Sequence, residues 1–95
     1  MTDSEITSAL KIFGANVRGF REQQGLTQEQ LASKAGIHRS YLGGVERGQR
    51  RLCIENIVRL SGALSVPIAR LFMSNFEWER INNGTFADDA THSDR

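Results

Sequence analysis

Residues 27–47 read TQEQLASKAGIHRSYLGGVER. Thr27 is a good helix N-cap, and Gln30 three residues later completes a capping-box pattern. A helix over Gln28–Ala35 then buries Leu31 and Ala35, and Gly36 stops it. A second helix over Arg39–Arg47 turns Leu42 and Val45 inward, and Gly48 stops that one. Two short helices joined by a tight glycine-containing turn, here Ala35-Gly36-Ile37-His38, make the helix-turn-helix pattern. In that pattern the second helix enters the DNA major groove, and residues near its N-terminus meet base edges.

Upstream, a helix from about Thr7 to Gln24 carries Leu10, Phe13, Val17 and Phe20 at helical spacing, with Gly25 behind it. Downstream lies a basic loop, Gln49-Arg50-Arg51. Ile57, Leu60 and Leu64 then line one side of a helix over Ile54–Leu64. Pro67 opens a short last helix ending near Met73. The expected fold is all-α: a compact five-helix DNA-binding domain over residues 1–73. Residues 74–95 form a C-terminal extension. Its Phe76, Trp78 and Ile81 extend the fold or pack on a second copy, and Asn82–Arg95 reads as disordered.

Ninety-five residues suit one domain. The single cysteine, Cys53, allows no internal disulfide and no cysteine-based zinc site, which suits a reducing cytoplasm. No apolar run is long enough for a membrane span, and the first residues do not read as a secretory signal. The net charge of +1 conceals a segregation. Residues 11–73 carry ten Lys/Arg against four Asp/Glu, while both flanks are acidic. A basic centre permits a polyanionic partner. No cofactor and no metal are expected, since His38 and His92 stand far apart in the chain. No nucleophile–base pair or phosphate-cradling glycine loop suggests an enzyme.

Gly43 and Gly44 stand together inside a short helix, where each costs about 0.8–1.0 kcal/mol relative to alanine. Close approach of the backbone to DNA explains them; a frayed helix or close packing within the protein are the alternatives. Arg39 suits base reading, because a guanidinium can bond guanine O6 and N7 together. Ser40 can bond a base edge or a phosphate. His38 caps the helix or touches phosphate. Gln28, at a helix N-terminus where N–H groups favour anions, and Tyr41, through its hydroxyl, are phosphate candidates.

The markers Leu26-Thr27-Gln28-Glu29-Gln30-Leu31-Ala32, Ala35-Gly36, Val45-Glu46-Arg47-Gly48 and Glu55-Asn56-Ile57 resemble the lambda-repressor-like (Cro/cI or XRE) helix-turn-helix regulators over about residues 10–73. Within that family, HRSYLGGVERGQR (38–50) is similar to controller proteins of restriction–modification systems. The resemblance implies a dimer on palindromic double-stranded operator DNA, with a contact to RNA polymerase left open. It implies base reading around Arg39, Ser40, Gly43 and Gly44. Phosphate or groove contacts are implied at Gln28, Arg50, Arg51 and Asn56, and an Arg21–Glu46 ion pair joins the first helix to the third. Ile68, Leu71 and Phe72 form an apolar strip on the last helix, part of which fills the core while the rest, with Phe76 and Trp78, is the expected dimer seam. An antitoxin with a partner-wrapping tail, and an interaction module that binds no DNA, are the rival readings. The family places proline and a hydroxyl residue before helix 4, whereas Leu52 and Cys53 stand here, so the start of that helix is open.

Overall fold

The computed structural model describes residues 1–83, which fold as six helices with no strand among them. The elements are α1 (Asp3–Gln23), α2 (Gln28–Ala35), α3 (Arg39–Glu46), α4 (Ile54–Leu64), α5 (Ile68–Leu71) and α6 (Asn75–Asn83). Residues 84–95, most of the expected disordered tail, lie outside the described residues.

The helices begin where side chains can take up orphan N–H groups. α1 starts at Asp3, earlier than the apolar spacing indicates. Thr2 accepts from the Glu5 backbone N–H, and the Glu5 carboxylate accepts from the Thr2 backbone N–H. Acidic residues in this first turn also suit the positive end of the helix dipole. Thr27 and Gln30 make the same reciprocal cap on α2, as the sequence indicates. α4 begins at Ile54 although Cys53 gives it no side-chain cap.

Besides the early start of α1, three elements depart from expectation. α3 ends at Glu46, with Arg47 as its C-cap. Pro67 caps α5 from outside, so that helix runs only from Ile68 to Leu71. A sixth helix occupies part of the extension, including Asn82 and Asn83. Its signal is a third reciprocal cap, in which Ser74 Oγ accepts from the Glu77 N–H and the Glu77 carboxylate from the Ser74 N–H. The Ser-x-x-Glu spacing at 74–77 is thus the sequence mark of α6.

Phe13, Val17, Leu31, Leu42, Val45, Leu60, Leu64 and Leu71 form the centre of the core and are essentially inaccessible to solvent. α1 packs chiefly across α3, and α2 lies between α3 and α4. The expected inward positions of α1 to α4 hold, except that Leu10 and Phe20 are half-buried at the margin. α5 closes the core with Leu71. Its C-terminal carbonyls receive the Asn16 side-chain amide, which donates to Leu71 O at 2.9 Å and Met73 O at 2.7 Å. The helix-turn-helix unit is therefore clasped from behind by α1 and α4, which fixes where α3 points.

Candidate nucleic-acid interface

The first turn of α3 is the most exposed polar end of the unit. His38, Arg39 and Ser40 are all exposed, while Leu42 and Val45 hold the opposite side of the helix in the core. His38 is the N-cap: its Nδ1 accepts from the Ser40 backbone N–H at 3.2 Å and lies 2.8 Å from Ser40 Oγ. Of the two roles expected for His38, capping is the one the geometry displays.

α3 is aimed by a polar network at its other end. Arg21 on α1 donates from Nε to Glu46 Oε2 at 2.7 Å and from Nη2 to Glu46 Oε1 at 3.1 Å. Its Nη1 donates to Leu26 O at 2.9 Å. The Glu46 side chain is 3% exposed and that of Arg21 11%. Hydrogen bonding to Glu46 raises the Arg21 pKa above the ordinary arginine value, against the opposing pull of burial. Two-point pairing fixes an angle as well as a distance, so the network sets α1, α2 and α3 relative to one another. The expected Arg21–Glu46 pair is present.

Gln28 joins this network, its Nε2 donating to Glu46 Oε1 at 2.9 Å. That amide is therefore directed inward, and its position at the first turn of α2 leaves backbone N–H groups as the anion-facing donors there. Tyr41 is also engaged internally: its hydroxyl donates to Arg51 O at 2.9 Å. Its ring lies 5.5 Å from the Arg50 guanidinium. Tyr41 thus secures the basic loop, and its hydroxyl proton is not free for a phosphate.

The paired glycines separate into different roles. A Cβ on Gly44 would stand 2.5 Å from Arg50 Cγ, so Gly44 is a seat for the Arg50 stem, the close-packing alternative. Gly43 is buried too, but under Arg47, whose Nη1 would stand 3.3 Å from a Cβ there, and it lines a groove with Gln28, His38, Arg39, Ser40 and Arg47. Arg47 was not singled out from the sequence as a contact residue. Its signal was spacing, since Arg39, Gly43 and Arg47 stand four residues apart on one helix face.

Arg39, Arg47, Arg50 and Arg51 are exposed, and none meets a carboxylate within 4 Å among the described residues. Arg18 and Arg59 each have one, and Arg21 has two, Glu46 and Glu22. Of the described cations without such a partner, Arg39, Arg47, Arg50 and Arg51 stand on α3, at its C-cap and in the loop after it, while Lys11, Lys34, Arg70 and Arg80 lie elsewhere. Asn56, half-buried in the first turn of α4, stands beyond that loop. On the expected dimer seam Ile68 and Phe72 are 40% and 39% exposed, and Phe76 and Trp78 are exposed as well. Leu71 is not: it is fully buried within this chain and belongs to the core rather than to the seam.

A helix-turn-helix family model (HTH_3) matches residues 17–71. The chain belongs to this family. Among helix-turn-helix relatives, control protein C.SmaI of Serratia marcescens is 39% identical over 61 residues, covering 64% of this chain and 73% of the relative. The crystal structure of the restriction–modification controller C.AhdI from Aeromonas hydrophila superposes with a TM-score of 0.66 at 46% identity, covering 68% of this chain and 98% of that one. A third helix-turn-helix protein, controller C.Esp1396I, was solved as a tetramer on its natural 35-base-pair operator. It matches with a TM-score of 0.62 at 31% identity, covering 67% of this chain and 84% of its own. The lambda-repressor-like resemblance and the all-helical class drawn from the sequence are borne out. Among the described residues no helix is long and apolar enough to cross a membrane.

Proposed function

We propose that the chain is a sequence-specific transcriptional regulator of the restriction–modification controller type, binding a palindromic operator as a dimer. The observation that carries this reading is the exposed cationic end of α3, unpaired with any carboxylate among the described residues and braced by the Arg21–Glu46 ion pair. The controller relatives set the biological role. Phosphate contacts from Arg50, Arg51, the α2 N-terminus and His38 fix the register, and Arg39 and Ser40 read bases. No catalytic chemistry is assigned to any of these residues.

A mobility-shift titration with the DNA upstream of the chain's own gene tests the reading. Affinity should fall linearly on a logarithmic salt scale, with a slope of about −0.9 per phosphate neutralised. Arg39→Ala should lose about 1–3 kcal/mol of discrimination at one base pair of each half-site. Arg51→Ala should weaken all duplexes alike and make the salt slope shallower by about 1. A flat salt response, or an Arg39→Ala protein as selective as the wild type, overturns the reading.

The dimer is proposed to form through Ile68 and Phe72 with Phe76 and Trp78, setting two α3 helices about 34 Å apart, one turn of DNA. Ile68→Glu should shift the protein to monomer in sedimentation while leaving thermal unfolding nearly unchanged, because Ile68 is exposed in the single chain. A variant that stays dimeric sinks that seam.

A further inference from the structure

Gly43 brings no side chain to α3 midway between Ser40 and Arg47, and it is buried beneath its neighbours. That position is covered from one turn further along. Side chains on a helix lean toward its N-terminus, so Arg47 lies back over the position four residues earlier. Its Nη1 stands 3.3 Å from where a Cβ on Gly43 would be. Its Nε donates to Gln49 Oε1 at 2.9 Å. That bond uses Nε alone, and Arg47 lines the groove it shares with Arg39 and Ser40.

We propose that Arg47 is a second base-reading residue, supplying at the level of Gly43 the guanidinium that position 43 itself lacks. Gln49 is its positioning residue. The inference rests on the operator-binding reading above and adds to it a second specificity determinant. An arginine at the C-terminal end of a recognition helix would ordinarily point at the backbone of the duplex, since the helix enters by its N-terminal turn. Here the fold-back carries the charge about one turn, roughly 5.4 Å, toward the entering end. The Nη1 and Nη2 N–H groups match the O6 and N7 acceptors of a guanine edge, so the ligand is a G·C base pair in the major groove. That pair is distinct from the one read by Arg39. The two arginines begin eight residues apart on the helix, and the fold-back leaves the guanidinium of Arg47 about one turn from the Cα of Arg39 along the axis.

The test uses the full chain on a set of operator duplexes, each carrying one base-pair change, with an unrelated duplex for comparison. Arg47→Ala is expected to lose about tenfold or more of the preference at one G·C pair per half-site. The Arg39→Ala loss should fall at a different pair. Salt slope on the unrelated duplex and thermal unfolding should stay as in the wild type. Gln49→Ala should give a smaller loss at the same pair as Arg47→Ala, which a structural role for Gln49 would not produce. Uniform weakening on every duplex with a shallower salt slope would make Arg47 a phosphate contact and overturn the inference. An unchanged preference profile, with Arg39→Ala still altering its own pair, would overturn it as well and leave the operator-binding reading standing. A wild-type chain with no sequence preference sinks both.

Discussion

Glu46→Ala is expected to lower the melting temperature by at least about 12 °C. Removing one member of a buried ion pair costs about 3–5 kcal/mol, because the other charge is left in a poorly solvated place. In a domain of this size each kcal/mol moves the midpoint by about 4–8 °C. The side chains of Glu46 and Arg21 are 3% and 11% exposed, so the pair is largely withheld from solvent. Glu46 accepts from both Arg21 and Gln28, so its loss strands two donors in the joint between α1, α2 and α3. Arg21 cannot relieve the strain by losing its proton, since a guanidinium stays charged at any ordinary pH. Glu46→Gln keeps the shape and loses the charge, so it should fall between alanine and the wild type. Operator affinity of the alanine variant should drop even well below its melting point, because the same pair orients α3. A midpoint within about 3 °C of the wild type, on the same size scaling, would show that the pair does not hold the three helices together.

Gly14→Ala is expected to destabilise the fold by about 3 kcal/mol, the upper part of the range for overpacked sites. Gly14 lies in the interior of α1, where alanine would ordinarily be favoured by about 1 kcal/mol. Here a Cβ would run into the Val45 carbonyl and would stand 2.8 Å from Glu46 O and 3.0 Å from Glu46 C. These are backbone atoms of α3, so relief requires the two helices to separate. Separation would also pull on the Arg21–Glu46 pair just beside them. Gly19→Ala is the matched control, on the same helix with nothing within 4 Å of its added methyl. It should raise the melting temperature by up to about 4–8 °C, while Gly14→Ala lowers it by about 12 °C or more. Melting curves of the two variants check the pair together. If both moved the same way, close approach of α1 to α3 would not be what Gly14 provides.

The difference between Gly14 and Gly44 shows how far the amino-acid order could be read. Gly44 drew notice because it stands beside Gly43 in an eight-residue helix. Gly14 carries no such mark, since Gly14 and Gly19 stand apart in the 21-residue α1. Only the crossing of α1 over α3 shows that Gly14 has the tighter surroundings. The seam residues divide in the same way. Ile68, Leu71 and Phe72 are alike in type and neighbours in order, yet Leu71 is fully buried while the other two keep about two-fifths of their surface exposed. A four-residue helix spans little more than one turn, too short for apolar periodicity to say which side is core.

What the residue order settled alone is whatever depends on partners within one helical turn. The reciprocal caps at Thr27, the glycine stops at 36 and 48, the apolar stripes of α2 to α4, and the polar first turn of α3 all belong here. These interactions join residues at most four apart, so they survive without knowledge of the fold. Tertiary structure decided what depends on chain segments meeting from a distance. It turned the Gln28 amide toward Glu46 and the Tyr41 hydroxyl toward Arg51. It seated Arg50 on Gly44 and placed Leu71 inside. Each of those outcomes is a choice among several hydrogen-bond partners or apolar surfaces that a side chain could satisfy equally well in isolation. Burial against one particular neighbour breaks the tie, and that neighbour is six residues away for Arg50, 10 for Tyr41 and 18 for Gln28.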